Sequence, residues 1–454
     1  MKQTPAKQLS TPNQHHVWPT VASIGCLCLL LLVGCGDGNS TSSSNNTAGN
    51  DSKSTEPTPV TPDDAAAVTA LTNAGFKLTT NDAGNVTAAA MAFDEDKSAE
   101  LVHLKGLHSL TKIQFTGPAL TDAGLEVIAD LPNLERLNLA DSRAADGALK
   151  ACAGLQHLTV LQLRRSAVTN DGLASLSALP ALRAVDVRNT KISDDGLTHL
   201  AKIQSLVDVQ FEKCDVTDAG IEAISGLPLK SINLNFCTSI TDKSLKLLGG
   251  MPELASIQLS ETQVSDDGMQ AIANLKKLKR LRLTECDVTH EGFIHLVGID
   301  TVERLGLRGS SLDAEGLKII SKLPNVNFLD ISECRLLAAE ELTALSQMKN
   351  LKTLICWETK VDDSVLNTLS GLTVLEELDL KATAITNESV KTLLELKNVR
   401  KLNLAGTQLS DEGFSQLSQL PALNWLNVAN TDIGYDVIDE LKAAREGLVV
   451  QEYE

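Results

Sequence analysis

The sequence predicts an α/β solenoid, a stack of strand–turn–helix units that share one continuous core. Apolar residues recur about every 24 positions along most of the chain. Within each unit, a short stretch of period two is followed by a stretch with helical spacing. A chain of 454 residues is also too long for one ordinary compact core. Together these observations favour a repeat array over a single globule.

The repeat can be followed through one strand motif and one helix position. In the unit at 132–142, Leu137 and Leu139 are predicted to point inward, and Arg136, Asn138 and Ala140 outward. The pattern runs through about 14 units of about 24 residues, with one additional residue after the ninth helix. The helix position is held by Leu125, Leu149, Leu173, Leu197, Ile221, Leu245, Met269, Phe293, Leu317, Leu342, Leu366, Val390 and Phe414.

The unit resembles a leucine-rich repeat, LxxLxLxx followed by a small residue. Its helix entry, TDAGL at 121–125, is similar to the cysteine-containing subtype known from F-box-type proteins. The resemblance covers about residues 107–433. It implies a curved right-handed superhelix with parallel strands on the concave face and short helices on the convex face.

The segments that flank the repeats are predicted to cap the core. Residues 63–106 lack the repeat, and their sequence favours a helix followed by a hairpin that turns near Asp82–Gly84. Residues 434–454 favour a helix and a final strand. Solenoids need such caps because their end units would otherwise expose apolar surface.

Residues 1–34 have the pattern of a secretory signal peptide. Lys2 and Lys7 precede the apolar run VASIGCLCLLLLVG, and about 14 apolar residues are too few to span a bilayer comfortably. The run continues into Cys35, and the stretch LVGC resembles the lipobox of bacterial lipoproteins. This resemblance implies lipidation of Cys35 and a lipid-anchored protein of the cell envelope. Gly36 is not the aspartate that retains enteric lipoproteins, which favours the outer membrane over the inner membrane.

Composition identifies a tether and narrows the choice of partner. Residues 35–62 contain almost no apolar side chains after the cysteine, so they cannot bury enough surface to order themselves and are predicted to be a flexible tether. The net charge of the chain is −18, and the repeats contain no basic block. Phosphate binding needs a positive face, so nucleic acid is excluded as the main partner.

A recurring phrase, SDDG at 193–196 and again at 265–268, could mark either a helix start or an ion site. Ser193 stands where other units also have Ser or Thr, and its hydroxyl can cap the helix that follows. Asp194 falls in the first turn, where a carboxylate meets the positive end of the helix dipole. The phrase is therefore interpreted as a helix start. The alternative is a cation held between units by the column Asp194, Asp218, Asp242 and Asp266.

The cysteines of the repeats favour a structural role. Cys214, Cys237, Cys286 and Cys334 occupy a column that Ser and Thr fill in other units, so small size is selected and not thiol chemistry. Cys214 and Cys237 lie within disulfide range in neighbouring units, although buried thiols are expected to stay free. No common catalytic, phosphate-binding or zinc motif is found. We therefore predict no catalytic residue, no metal and no cofactor, and a protein that is not an enzyme.

Outward strand positions that the repeat does not dictate are candidates for ligand binding. We call the surface formed by these outward positions the strand face; most of its residues are Asn, Gln, Asp, Ser or Ala. Exposed aromatic residues beside arginine are typical of binding hot spots. The departures that meet this description form the arginine–aromatic patch, defined as Arg280, Arg282, Arg304, Arg308, Phe328, Ile355 and Trp357. A smaller basic pair, Arg164 and Arg188, lies nearer the N-terminus.

Alternatives remain open for the patch and for its ligand. The arginines could instead pair with Glu212, Glu261 or Glu285, with Trp357 packed sideways on its neighbours. The favoured function is a non-enzymatic scaffold that binds a protein or peptide on its concave face. A second hypothesis is a binder of cell-wall glycan, with Phe328 and Trp357 stacking on sugars. A third is a substrate-recognition adaptor of an enzyme, as in F-box relatives.

Overall fold

The computed structural model describes residues 61–453, which form one 17-stranded sheet. The first two strands pair antiparallel, and each later strand pairs in parallel with the strand before it. The strands are β1 (Lys77–Thr80), β2 (Val86–Ala92), β3 (Lys112–Thr116), β4 (Arg136–Asn138), β5 (Val160–Gln162), β6 (Ala184–Asp186), β7 (Asp208–Gln210), β8 (Ser231–Asn233), β9 (Ser256–Gln258), β10 (Arg280–Arg282), β11 (Arg304–Gly306), β12 (Phe328–Asp330), β13 (Thr353–Ile355), β14 (Glu377–Asp379), β15 (Lys401–Asn403), β16 (Trp425–Asn427) and β17 (Val449–Gln451).

Short helices connect the strands. The α-helices are α1 (Ala65–Asn73), α2 (Asp146–Cys152), α3 (Asn170–Ala174), α4 (Asp194–Leu200), α5 (Asp218–Ile224), α6 (Asp242–Leu248), α7 (Asp266–Met269), α8 (His290–Phe293), α9 (Ala314–Ile320), α10 (Ala339–Leu342), α11 (Asp363–Thr368), α12 (Val390–Glu395), α13 (Asp411–Gln416) and α14 (Tyr435–Ala444). Turns of 3₁₀ helix cover Ser98–Gly106, Leu125–Asp130, Gln270–Asn274, Ile294–Leu296, Thr343–Gln347, Leu369–Gly371, Asn387–Ser389 and Leu417–Gln419.

The apolar positions of the strands and helices form one core. Leu137 and Leu139 are buried, whereas Arg136 and Asn138 are partly exposed, as the period-two alternation requires. The buried residues form a single cluster that runs from Leu71 to Val450. The predicted solenoid of parallel strands and short helices is therefore confirmed, since residues in equivalent places of the repeat occupy equivalent environments.

The helix-start phrase forms a ladder between units, which the sequence interpretation described only in part. The Ser193 side chain makes no capping hydrogen bond to α4. Instead, the Asp194 carboxylate accepts hydrogen bonds from the next unit, from Thr217 N at 2.8 Å and Thr217 Oγ1 at 2.6 Å. The Thr217 hydroxyl does accept a bond from Ala219 N, so hydroxyl capping occurs in some units. Each aspartate thus ties its own helix to the next one.

The glycine of the same phrase leaves room for this carboxylate. A Cβ on Gly220 would lie 2.4 Å from Asp194 Oδ1. Ser244 takes the glycine position one unit later, and its hydroxyl donates to Asp218 Oδ1 at 2.5 Å. Because these oxygens accept hydrogen bonds from the next unit, they are engaged within the fold. Within residues 61–453, no group of three or more His, Cys, Asp or Glu side chains is arranged to hold a metal ion.

The six cysteines between residues 61 and 453 are free thiols, and Cys214 and Cys237 do not form a disulfide. The Cys214 thiol donates to Val187 O and the Cys237 thiol to Phe211 O, each across a unit boundary. Burial raises the pKa of the Cys237 thiol to about 12. These thiols therefore stay protonated near neutral pH and serve as weak donors between strands.

The flanking segments extend the same sheet. Helix α1 and strands β1 and β2 precede the repeats, and β2 pairs in parallel with β3. At the other end, β17 follows α14 and pairs with β16. No helix within residues 61–453 is both long and apolar enough to cross a membrane. The predicted signal peptide, Cys35 and the tether as far as residue 60 lie outside the described residues.

Candidate functional site

The parallel register brings the residues of the arginine–aromatic patch onto neighbouring strands. Arg280 is paired with Arg304, and Arg304 with Phe328, along β10, β11 and β12. A second row runs from Arg282 through Gly306 to Asp330 and Ile355. Arg308 and Trp357 follow the last residues of β11 and β13 by two positions. Since neighbouring strands are about 4.8 Å apart, the patch extends over about 14 Å.

Both aromatic rings of the patch carry a guanidinium group on one face. Arg304 lies 4.0 Å from the ring centre of Phe328, and Arg308 lies 5.0 Å from that of Trp357. Arg308 reaches Trp357 across the strand between them, where the small residue Ser332 is fully buried. These stacks fix the arginines and rings in place and cover one face of each ring.

Arg282 lies over a gap in the second row. Gly306 has no side chain, and a Cβ placed there would be 3.3 Å from Arg282 Cγ and 3.4 Å from its Nε. Although Arg282 keeps an exposed surface, the neighbouring protein removes part of the water around its guanidinium and so lowers its pKa, and the charge of Arg280 acts in the same direction. The nearby Asp330 carboxylate opposes this shift. The glycine thus allows a cation to lie flat across the strand face.

Two carboxylates lie in the same row as Arg282. Asp330 Oδ1 accepts hydrogen bonds from Ser332 N at 3.1 Å and from Ser332 Oγ at 2.7 Å. Burial raises the pKa of Asp330, although the Arg282 and Arg308 charges oppose the change. Burial also raises the pKa of Asp379 to about 6, and the negative charge of Asp330 adds to this effect. The polar floor of the patch is therefore poorly hydrated.

Arg308 has a hydrogen-bonded carboxylate partner that was not considered in the sequence, while Glu212 acts on Arg282 and Glu285 on Arg308 through their charges. Arg308 Nε donates to Glu333 Oε1 at 2.8 Å, whereas Glu212, Glu261 and Glu285 had been the alternatives. Glu333 adopts a left-handed backbone conformation with φ of 56° and is mostly shielded from solvent. Asp330, Glu333, Asp379 and Glu285 lie close to the four arginines of the patch, so carboxylates offset much of the positive charge there.

The smaller basic pair forms a separate arrangement. Arg188 donates to both carboxylate oxygens of Asp186, at 2.9 and 2.7 Å. Arg164 Nη2 lies 2.7 Å from Asp141 Oδ2. Arg188 has its own carboxylate, whereas Asp141 is shared by Arg164 and by Arg165, whose Nε lies 2.6 Å from Asp141 Oδ1. The pair lies near β5 and β6, about 20 Å from β10, so it is not part of the patch.

Sequence reasoning missed Gly306, Asp330, Glu333 and Asp379. Each is an ordinary residue type for a turn or a polar strand position, and nothing in its identity marks it. Gly306 could have been recognised as unusual by comparing equivalent positions of successive strands, because its neighbours Arg282 and Asp330 are both charged. The partners of the arginines are set by the reach of side chains across one or two strands.

Unsatisfied hydrogen-bonding groups also concentrate on the strand face. Four buried side-chain atoms among residues 61–453 have no hydrogen-bond partner. Two of them, Ser256 Oγ and Ser260 Oγ, belong to strand-face positions, and Asn403 lies close enough to Asp379 to hydrogen-bond its carboxylate. These atoms are buried beneath the strand face, so a ligand resting on that surface does not reach them without a local rearrangement. The chemistry that this surface offers is anion recognition, ring stacking and hydrogen bonding.

Comparison with known proteins agrees with the repeat. Residues 154–177 and 395–418 each match the family model described as Leucine Rich repeat. No curated protein sequence matches the chain.

Several solved structures are similar to the chain at low identity. An internalin from Listeria monocytogenes shares 17% identity over 88% of this chain and 99% of that one, with a TM-score of 0.43. A leucine-rich repeat protein from Leptospira interrogans shares 18% identity over 77% and 91%, with a TM-score of 0.48. The plant peptide hormone receptor RGFR1, solved in complex with RGF2, shares 14% identity over 78% and 68%, with a TM-score of 0.39.

The two matched segments lie far apart in the chain, and one unbroken strand register connects them. The same buried positions recur in the units between them. The two segments that match the leucine-rich repeat model therefore belong to one continuous array of units with the same strand register and the same buried positions.

Proposed function

We propose that the protein is a non-enzymatic, lipid-anchored scaffold of the bacterial cell envelope that binds a protein or peptide on its strand face. The observation that carries the proposal is the arginine–aromatic patch, where stacked guanidinium groups and rings depart from the repeat. Hot spots of protein interfaces are enriched in Trp and Arg. The remaining strand face is polar, with Asn, Gln, Asp or Ser at most outward positions, which supports hydrogen bonding to an extended ligand.

Anchoring rests on the sequence alone. The LVGC stretch supports lipidation of Cys35, and the polar tether would hold the repeats away from the bilayer. Metabolic labelling with an alkyne analogue of palmitate tests this part: label on the wild-type chain and none on Cys35→Ser is expected. Equal labelling of both would remove the anchor. Fractionation of the envelope then distinguishes the outer from the inner membrane.

The binding proposal can be tested with a matched pair of double variants. Arg282→Ala with Trp357→Ala removes the patch, while Arg136→Ala with Trp425→Ala makes the same changes elsewhere on the strand face. Photo-crosslinkers placed on the strand face should join the chain to one envelope protein. We expect the first double variant to lose at least nine-tenths of this product and the second to retain it. Equal crosslinking by both, or products only from the helix side, would contradict the proposal.

Glycan remains the second candidate, since aromatic rings favour stacking on sugars. Arg304 and Arg308 already cover one face of Phe328 and Trp357, which leaves less ring surface for a sugar. A glycan array probed with the full chain would decide: retention that is lost in the patch variant favours glycan over peptide. A role as substrate-recognition adaptor requires that the crosslinked partner be an enzyme or its substrate.

A further inference from the structure

The two ends of the sheet are built differently. At the N-terminal end, β1 has the sequence KLTT, and a register shift between Thr79 and Thr80 interrupts its pairing with β2. Edge lysines and bulges are devices that keep a strand from pairing with another chain. At the C-terminal end, β17 has the sequence VVQ and pairs with β16 in regular register. Valine favours strand structure, so β17 is the end strand that is better suited to accept a further strand.

The backbone of β17 pairs on one side only, within the part of the chain that the structure describes. Val449 N donates to Asn424 O, and Gln451 O accepts from Val428 N, so β17 bonds through these two residues to the strand before it. Successive residues of a strand direct their N–H and C=O groups to opposite sides. The N–H and C=O groups of Val450 therefore point away from β16, where they can pair with another strand.

Apolar side chains lie exposed at this end of the array. Val449 is 56% exposed, and Tyr435 and Tyr453 are 71% and 72% exposed. Val450 is 8% exposed, whereas Leu426, its register partner on β16, is fully buried. The core is thus less completely covered here than within the array. An unpaired strand edge beside exposed apolar side chains is typical of a surface that binds another chain.

The charges beside the edge favour a second copy of the chain as the partner. Lys442 on α14 lies 2.7 Å from Glu452, which follows β17, and the charge of Asp439 also acts on Lys442. A copy of α14 that runs in the opposite direction would place Asp439 opposite Lys442, and Lys442 opposite Asp439. A two-fold axis joins identical surfaces and requires this kind of self-complementarity.

We propose that β17 pairs antiparallel with β17 of a second copy of this chain, which joins two solenoids end to end in a two-fold symmetric dimer. With Val450 opposite the partner's Val450, each N–H donates to the C=O of the other chain. The N–H of Glu452 then reaches the C=O of the partner's Leu448. The same register packs Val449 against the partner's Gln451 on the strand face.

The net charge of the end opposes this dimer at low ionic strength and provides a way to recognise it. Residues 434–453 contain five acidic and two basic side chains, a net charge of −3. Two such ends repel each other, so the association should strengthen as salt is raised from about 0.05 M to about 0.3 M. Self-association that weakens over this range would place the contact between oppositely charged surfaces and overturn the inference.

A basic strand from a different protein is the other occupant that the acidic edge could take. The probe for it is a fluorescent peptide of alternating Val and Thr with Lys at both ends. A chain that stays monomeric but binds this peptide, with affinity falling as salt is raised, would assign the edge to a basic partner and overturn the dimer.

Sedimentation equilibrium of the full chain tests the dimer, with Cys35→Ser so that no lipid contributes to association. A contact of one strand and one helix is small, so we expect monomer at about 1 μM and mostly dimer at about 200 μM. Val449→Lys places a charge on the edge and should weaken association at least tenfold. Val102→Lys, at a valine of similar exposure near the other end, is the matched control and should leave association unchanged. Monomer at all concentrations, or equal effects of the two variants, would overturn the inference.

A disulfide experiment tests the register. Antiparallel pairing centred on Val450 places Val449 beside the partner's Gln451, with about 4.5 Å between Cα atoms, whereas the two Val449 residues lie about 8 Å apart. Only the first distance allows a disulfide. Chains with Val449→Cys and chains with Gln451→Cys should therefore crosslink when they are mixed, and Val449→Cys chains alone should not.

The background for this experiment leaves the added thiol as the reactive one. The six cysteines among residues 61–453 are buried, and Cys26, Cys28 and Cys35 are replaced by Ser. Crosslinking is measured on non-reducing gels after mild oxidation. Equal crosslinking of Val449→Cys with itself would overturn the antiparallel register. A dimer that forms without crosslinks in the mixture would place the contact elsewhere and overturn the inference.

Discussion

The helix starts and the arginine–aromatic patch use charged residues in opposite ways. In the helix-start ladder, Asp194 and its equivalents are engaged by donors of the next unit, and the same bonds recur with the repeat. In the patch, four arginines occupy two neighbouring units, and no other pair of units repeats the arrangement. A charge that recurs with the period supports the fold, and a cluster of charge that breaks the period is a candidate for ligand binding.

The largest difference in unfolding free energy is expected between substitutions at two adjacent residues of β10. Leu281 is fully buried, whereas Arg282 is exposed. Leu281→Ala should lower the free energy of unfolding by about 2–5 kcal/mol, because it leaves a cavity in the shared core. Arg282→Ala should change it by less than about 0.5 kcal/mol. Urea denaturation followed by circular dichroism measures both, and a comparable loss for Arg282→Ala would make the arginine structural.

How far the sequence predicts each region follows from this contrast. Burial repeats with the chain, so Leu137 and its equivalents could be assigned to the core by their spacing alone. The partner of Asp194 could not, because periodicity identifies a column and does not say which side chains cross to the next unit. The column of small residues carried this information, since Gly220, like Ser244 one unit later, leaves room for the aspartate that approaches from the preceding unit.

The patch could be predicted as a set of residue types but not as a charge balance. Arg282 and Trp357 stand out because the repeat has polar or small residues at their positions. Their counterparts Asp330 and Glu333 do not stand out, since acidic residues are common on strand edges and in turns. Whether a cation is neutralised depends on how far its side chain reaches across the sheet, and the spacing of the repeat does not specify that.

Asp379 provides the next test, because its burial on the strand face costs stability. Its pKa is raised to about 6, so the folded chain binds a proton more readily than the unfolded one, whose Asp pKa is about 3.9. Stability should therefore decrease as the pH rises from about 4 to about 6. Asp379→Asn should be more stable than wild type at pH 7, by at most about 3 kcal/mol, and equally stable below about pH 4. Thermal unfolding across this range measures the difference.

The variant is informative because asparagine keeps the acceptor for Lys381 N, which lies 3.0 Å from Asp379 Oδ1. Asp267→Asn, at an exposed position of a helix start, controls for the loss of one negative charge. A gain of the same size in Asp267→Asn would show that net charge, and not the poorly hydrated strand face, determines the effect.

Substitutions at the two aspartates of the SDDG phrase distinguish the hydrogen bonds between units from the general effect of losing a negative charge. Asp194→Ala leaves Thr217 N and Oγ1 without their acceptor, so we expect a loss of about 1–3 kcal/mol. Asp195 is exposed, and Asp195→Ala should cost less than about 0.5 kcal/mol. Hydrogen exchange should show the loss of protection beginning at the Thr217 amide. Equal effects of the two substitutions would leave helix capping, and not the ladder, as the role of the phrase.

The smallest effect on stability is expected at the unit boundary where the hydrogen-bond donor and acceptor have changed places. His290 replaces the aspartate of its unit, and Asp313 replaces the hydroxyl residue of the next, with His290 Nδ1 and Asp313 Oδ2 2.5 Å apart. The hydrogen bond to Asp313 raises the pKa of His290 above its usual value. The pair therefore stabilises the fold fully below the unfolded His pKa of about 6.5, and this contribution is lost as the pH rises through the folded pKa.

His290→Gln should accordingly be less stable than wild type at pH 5.5, and the difference should shrink as the pH is raised to 8. His295→Gln, in the 3₁₀ turn that follows α8, is the matched control and should show no such trend. NMR titration of the His290 ring measures the pKa directly, and Asp313→Asn should lower it. A His290 pKa unaffected by Asp313→Asn would mean that this unit boundary is held by its apolar contacts alone, and that the polar ladder is dispensable where its residues are exchanged.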